Sequence, residues 1–212
     1  MVTIIDYGIG NLRSIEKAFE RVDIDVLRTD DPEAIAAARR LVLPGVGAFG
    51  ACMDEIRRRN LVPAIHDAVA RGTPLLGVCV GLQLLFEEGL EHGSHDGLGV
   101  LPGTVEHFHQ ADAGTADALV VPHMGWNALH PVRSSPLLEG LGGTPYVYFV
   151  HSYHAVPAES DDVLATADYG HAFPAIVQRD AVFGVQFHPE KSQEVGLRLL
   201  HNFATLDLQA TT

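Results

Sequence analysis

Pro74-Leu75-Leu76-Gly77-Val78-Cys79-Val80-Gly81-Leu82-Gln83 is the stretch whose reading decides the fold. It begins as a continuous apolar run of strand length. After Cys79 it passes without a linker into a helical pattern that extends to about Glu88. A strand feeding directly into a helix is half of a βαβ unit, and such units build parallel sheets covered on both faces.

The residues before it repeat the same alternation. Val2–Ile5 reads as a strand, about Ser14–Val22 as a helix with Ile15, Ala18, Phe19 and Val22 on one face, and Ile24–Leu27 as a strand. Asp31-Pro32-Glu33 has the capping acid, first-turn proline and early carboxylate of a helix start. Leu41–Leu43 is a strand that stops at Pro44-Gly45-Val46-Gly47, and helical patterns follow over about Phe49–Arg59 and Leu61–Arg71. From Leu98 the texture changes to short β-rich runs at Thr104–Phe108, Leu119–Val121, Tyr146–Val150, Val163–Ala167, Ala175–Gln178 and Val182–Phe187. Gly, Pro and Asp separate them, which predicts antiparallel additions to one sheet. A last helix is expected over about Ser192–Leu206. The fold class is α/β, an open, mostly parallel central sheet with helices on both faces and antiparallel additions in the C-terminal half. No repeat or linker divides residues 1–212, so one domain is expected.

Composition narrows the function classes. Hydrophobic residues are 47% and charged residues 19%, the balance of a globular protein. The net charge of −13 is spread along the chain and argues against nucleic acid, which needs a basic stripe. The one basic run, Arg57-Arg58-Arg59, falls at a helix C-terminus, where cations suit the dipole. Two cysteines make no disulfide framework, and Met1–Asp6 runs straight into a strand without the charged start of a leader. No apolar run reaches the roughly 18 residues of a membrane helix. A cytoplasmic protein with no membrane association is expected.

Gly77-Val78-Cys79-Val80-Gly81 has the spacing of a nucleophile elbow. A nucleophile on so sharp a turn leaves no room for side chains two residues away, hence the glycines. A helix N-terminus behind the sulfur favours thiolate, and the Val80 amide is left to face an oxyanion. The segment alone reads more readily as a small buried cysteine packed as a hydrophobe, the usual fate of a free cysteine and the reading given to Cys52. A base decides between them. Gly184-Val185-Gln186-Phe187 is a strand that stops at His188-Pro189-Glu190, which presents His188 at a strand C-terminal end, the edge where open parallel sheets bind ligands. Glu190 is placed to fix the imidazole tautomer, so Cys79, His188 and Glu190 form a candidate triad. His92/His95 and His107/His109 have metal-ligand spacings but no accompanying acid or cysteine cluster, and Gly8-Ile9-Gly10 lacks the third glycine of a dinucleotide loop. No metal and no cofactor are assigned.

Gly77–Gln83 together with Gly184–Glu190 closely resembles the class I glutamine amidotransferases. Asp6-Tyr7-Gly8-Ile9-Gly10-Asn11-Leu12, Pro44–Phe49, Pro122-His123-Met124-Gly125-Trp126-Asn127 and Val150-His151-Ser152-Tyr153 are similar to the glutaminase subunits of imidazole glycerol phosphate synthase. Val80 and Leu82 stand where that family often has Leu and Met, departures that leave an apolar residue and a backbone amide in place. The resemblance implies hydrolysis of glutamine to glutamate and ammonia. It also implies a heterodimer with a (β/α)8-barrel cyclase subunit that uses the ammonia in histidine biosynthesis. Val80 and the Val46-Gly47 loop are then expected to supply the oxyanion hole, with Gly45 and Gly47 making that loop mobile. Gln83 contacts substrate, and Ser152 and Tyr153 hold its amino and carboxylate groups through backbone. Asn11, Met124 and Trp126 are candidates for the partner interface or channel; Met124 and Trp126, expected in a loop, are equally compatible with core packing. The alternatives are the glutaminase of a different amidotransferase, and a cysteine α/β hydrolase, whose triad acid would precede the histidine in the chain.

Overall fold

Strand β1 (Val2–Ile5) pairs in parallel with β2 (Val26–Thr29) and β3 (Leu41–Gly45), and β3 pairs in parallel with β4 (Leu75–Cys79). The computed structural model describes residues 1–108 and 119–207. Helices α1 (Leu12–Glu20), α2 (Pro32–Ala36), α3 (Phe49–Arg58) and α4 (Val62–Ala70) connect these strands, and a short α5 (Val80–Gln83) follows β4. The later strands are β5 (Phe86–Gly89), β6 (His95–Asp96), β7 (Leu101–His107), β8 (His123–Ala128), β9 (His130–Pro131), β10 (Tyr146–His151) and β11 (Tyr153–Pro157). Then come β12 (Val163–Asp168), β13 (Ala172–Arg179), β14 (Val182–Val185) and the last helix, α6 (Gln193–Thr205).

The main sheet has eight strands in the order β2-β1-β3-β4-β14-β13-β12-β9. Strand β14 joins β4 in parallel, whereas β13, β12 and β9 continue the sheet antiparallel. Strands β1, β3, β4 and β14 are buried at every position, which is why, Thr3 apart, their sequences run apolar without alternation. Helix α1 turns Ile15, Ala18 and Phe19 inward and α6 turns Leu199, Leu200 and Phe203 inward. Asp31 caps α2 as its sequence predicts, its carboxylate accepting from Glu33 N–H at 3.0 Å. No helix among the described residues is long and apolar enough to cross a membrane.

Several expectations are corrected. The β-rich runs do not all join one sheet: β11-β7-β5-β6 form a separate four-stranded sheet and β10-β8 a two-stranded one. Side chains from all three sheets still meet in one apolar cluster, with Val105, Phe149 and Phe183 among its members. The helix expected to reach Glu88 ends at Gln83, and Phe86–Gly89 is strand β5. Residues 80–86 are buried throughout, so no polar face marks a helix. The carbonyls that would continue it are taken instead: Leu98 N–H donates to Leu84, Val100 and Leu101 N–H to Leu85, and Gly99 N–H to Phe86. Leu119–Val121 is not a strand; the strand starts at His123, beyond Pro122, which has no N–H to give a ladder. Met124 and Trp126 therefore lie on β8 rather than in a loop.

Candidate active site

The parallel register sets Val185 opposite Val78 and Gly45 opposite Cys79, so β3, β4 and β14 deliver their C-terminal ends to one edge. Cys79 leaves β4 with φ 56° and ψ −113°, a strained conformation for any residue but glycine. The flanking glycines are explained by contact. A Cβ on Gly77 would lie 2.6 Å from the Gly81 carbonyl oxygen, and one on Gly81 would lie 1.8 Å from the Leu43 carbonyl oxygen. Helix α5 has only four residues, so the dipole expected behind the sulfur is small; what remains is the Val80 N–H, which has no acceptor within the helix.

His188 follows β14, whose ladder stops at Val185 rather than Phe187. Its backbone is fixed on both sides: His188 N–H donates to the Tyr148 carbonyl at 2.9 Å, and Ser192 Oγ donates to the His188 carbonyl at 2.6 Å. Ser192 Oγ in turn accepts from Tyr148 N–H at 3.0 Å, a clamp that sequence reading missed. The His188 ring places Nδ1 2.9 Å from Glu190 Oε1, with the two side chains only 5% and 3% exposed. Burial pulls His188 down, but hydrogen bonding and charge from Cys79 and Glu190 outweigh it and push the imidazole up to about 10. Buried this deeply, the carboxylate favours an imidazolium beside the sulfur.

The loop Pro44–Gly47 passes over the elbow. Gly45 is there for close approach, not freedom, because a Cβ on it would lie 2.6 Å from Gly81 N. Of the two glycines only Gly47 has positive φ, +88°, with nothing within 4 Å of its Cβ position, so only Gly47 has the conformational freedom expected of both. Two donors pin the loop from behind: Tyr7 OH to the Pro44 carbonyl at 2.8 Å and Cys52 Sγ to the Val46 carbonyl at 3.4 Å. Burial raises the pKa of both Tyr7 and Cys52, keeping them neutral donors.

A cleft of about 530 Å³ opens at this edge, and Val46, Gly47, Cys79, Val80, Gln83, Ser152, Tyr153 and His188 all line it. Gln83 is buried, not on a helix surface. Its two amide hydrogens go to the Tyr153 carbonyl at 2.9 Å and Gln186 Oε1 at 3.1 Å. The Ser152 carbonyl accepts from Phe108 N–H at 3.0 Å, so the carbonyls of Ser152 and Tyr153 are both engaged already. Glu91 and Lys191, which sequence reading passed over, also line the cleft; Glu91 Oε2 accepts from Phe49 N–H at 2.7 Å. Nothing in the local sequence marks Glu91, which arrives from a loop through the fold.

Not every candidate comes to the cleft. Asn11 stands at the N-terminal boundary of α1 without a side-chain cap bond; its Oδ1 accepts from Ser14 Oγ at 2.8 Å, and it borders a gap of about 10 Å³ with Pro44, His188 and Glu190. Met124 and Trp126 share the outer face of β8, 61% and 47% exposed, and so are not core. Their neighbour across the ladder is β10, where Tyr148 meets the Trp126 ring at 6.1 Å and Lys191 Nζ lies 5.7 Å from the Tyr148 ring. Among the described residues no group of three or more His, Cys, Asp or Glu is arranged to hold a metal ion, and His109 lies outside them.

A strained cysteine elbow beside a histidine–carboxylate pair lies on the C-terminal edge of a mostly parallel sheet, and the chain that carries them belongs to the class I glutamine amidotransferases. The family model described as glutamine amidotransferase class-I matches residues 3–206. Within that class the chain belongs to the HisH subunits of imidazole glycerol phosphate synthase. It is 71% identical to that subunit of Salinibacter ruber over 97% of this chain and 94% of the relative. It is 52% identical to the subunit of Syntrophotalea carbinolica over 97% and 100%. A solved glutamine amidotransferase matches the fold with a TM-score of 0.72 at 22% identity, over 97% of this chain and 99% of the other.

Proposed function

We propose that the chain is the glutaminase subunit of imidazole glycerol phosphate synthase, hydrolysing L-glutamine to L-glutamate and ammonia for histidine biosynthesis. The observation that carries the reading is the alignment of strained Cys79, buried His188 and Glu190 at the ends of adjacent strands β4 and β14. His188 takes the Cys79 proton, and the thiolate attacks the side-chain amide carbon of glutamine. The oxyanion is held by the Val80 amide and one from Val46-Gly47; a single preorganised donor of this kind is worth about 3–4 kcal/mol. Collapse breaks the C–N bond as His188 protonates the leaving ammonia. Water then attacks the glutamyl thioester with His188 as base, releasing glutamate and the thiol.

The engaged carbonyls refine how substrate is held. The Tyr153 carbonyl already accepts from both Gln83 and His151, so this segment meets the substrate carboxylate through N–H groups. The Glu91 carboxylate in the cleft is the counter-charge for the α-ammonium, and Gln83 meets substrate through its carbonyl oxygen. The chain acts as one domain in the cytoplasm, and the partner is a (β/α)8-barrel cyclase subunit that receives the ammonia. Met124 and Trp126 on the outer face of β8 are the anchors for that partner, since exposed aromatic and Met side chains are enriched at interfaces. Asn11, which precedes α1 at the edge of the gap behind Glu190, belongs to the same partner interface or channel. Glutamate and ammonia release should be measured for the chain alone, with the cyclase, and with the cyclase and its ligand. Turnover that rises at each step supports the reading; no turnover in any state refutes it.

A further inference from the structure

We infer that His123 and His151 are positioning residues for the substrate-facing segment Ser152-Tyr153, holding it through a one-directional hydrogen-bond chain that ends on the Tyr153 carbonyl; this rests on the glutaminase reading above. The two histidines face each other across the β8–β10 ladder and are buried at 3% and 6% exposure, yet neither belongs to the triad. Buried imidazoles without a role are costly, so their partners matter.

The direction of the chain follows from donor and acceptor chemistry. His151 Nδ1 lies 2.9 Å from the Tyr153 carbonyl, which only accepts, so Nδ1 carries the hydrogen. Burial holds both rings neutral, pulling His151 down to about 3 and His123 to about 4. The His151 Nε2 must then accept, and the His123 Nδ1, 3.0 Å away, donates to it. His123 Nε2 is left as an acceptor, with Asn127 Nδ2 at 3.3 Å as its donor. Every link from Asn127 to Tyr153 points the same way, and each ring is fixed in its Nδ1–H tautomer.

The end point gives the chain its consequence. The Tyr153 carbonyl also accepts from Gln83, Gln83 donates its second hydrogen to Gln186, and Gln186 Nε2 lies 4.0 Å from Cys79 Sγ. Tyr153 is thus the joint between the histidine pair and the polar wall beside the nucleophile. Aromatic packing keeps the pair in place: His123 stacks on Tyr169 and Phe149 at 4.1 and 4.8 Å, and Phe108 lies 5.2 Å from His151. Loss of the donor at His151 frees the segment that holds glutamine while leaving the triad intact. The defect belongs in KM rather than kcat.

The test compares His151→Phe with His151→Asn in the complex with cyclase. Asn places an amide N–H near the position of Nδ1 and retains the bond to Tyr153. We expect KM for glutamine to rise about tenfold in the Phe variant with kcat nearly unchanged, and the Asn variant to return to within about threefold of wild type. His123→Phe fits the aromatic stack and gives the same direction if His151→Phe does not fold. Melting temperatures lowered equally in both Phe variants, with KM unmoved, would overturn the inference and leave a packing role. Independently of activity, nitrogen NMR of the full chain should find His123 and His151 as Nδ1–H tautomers at neutral pH. An Nε2–H or doubly protonated His151 would also overturn it. A wild-type complex inactive on glutamine would count against the glutaminase reading instead, and the tautomers would still decide the hydrogen-bond chain.

Discussion

Replacing Glu190 by Gln removes a charge from the candidate triad and little else. Gln is isosteric and keeps a carbonyl oxygen where Oε1 now accepts from His188 Nδ1 at 2.9 Å, so ring orientation survives. The pair is 5% and 3% exposed, and solvent does not screen the loss. A buried charge-assisted hydrogen bond of this kind contributes about 1.5–3 kcal/mol, against roughly half of that for its neutral replacement. At 1.36 kcal/mol per pKa unit, the imidazolium loses on the order of one unit of support. Glu190 is one of the groups that raise His188 to about 10, so the alkaline limb of kcat/KM in the wild type reports the loss of the imidazolium partner, and in the variant it moves to lower pH. The imidazolium still predominates at neutral pH after a loss of that size, so the rate falls about tenfold on the alkaline side of the limb, with KM little changed. Ammonia release across a pH series, with the cyclase present, reads both quantities. A Glu190→Gln enzyme with the wild-type rate and an unmoved alkaline limb would refute the argument that this carboxylate sustains the Cys79–His188 pair.

Gly81→Ala, which sets a Cβ 1.8 Å from a β3 carbonyl, should cost more than about 3 kcal/mol in urea unfolding, whereas Gly47→Ala, in open space at φ +88°, should cost only about 1 kcal/mol. Tyr7→Phe leaves the Pro44 carbonyl without its buried donor, so stability should drop by about 1–3 kcal/mol and kcat should fall more than KM rises; an unchanged kcat would remove Tyr7 from the support of the oxyanion loop. His123 and His151 titrate near 4 and 3 in the folded chain against an ordinary 6.5, so the unfolded chain binds more protons in between. Stability should decline as pH falls from about 6.5 towards 4, and His123→Phe should flatten that decline; a decline of the same depth in the variant would show that His123 stays protonated or exposed.

The sheet and the elbow were legible because their signals are local. Leu75–Cys79 is apolar at every position, and of the two glycines around Cys79, Gly77 answers Gly81 and Leu82 in the turn that follows while Gly81 answers Leu43 on the neighbouring strand. His188 was legible because a strand feeds the segment that carries it, although that strand, β14, ends at Val185, ahead of the boundary that Pro189 suggested. What the sequence concealed depends on long-range partners. The carbonyls of Leu84–Phe86 turn from helix to strand because residues 98–101 claim them. Strand β8 carries His, Gly and Asn in place of an apolar alternation, and only its pairing with β10 makes it a strand. Glu91 and Ser192 act at the site through contacts with residues more than forty positions away, Phe49 and Tyr148, which no spacing rule detects.

The central claim is that Cys79 carries the chemistry, and the rate of ammonia release from glutamine by Cys79→Ala, assayed in complex with the cyclase and its ligand, tests it most directly. With the sulfur gone no glutamyl thioester forms, and release should fall to the background of uncatalysed hydrolysis while folding and complex formation persist. Release at the wild-type rate would contradict the account.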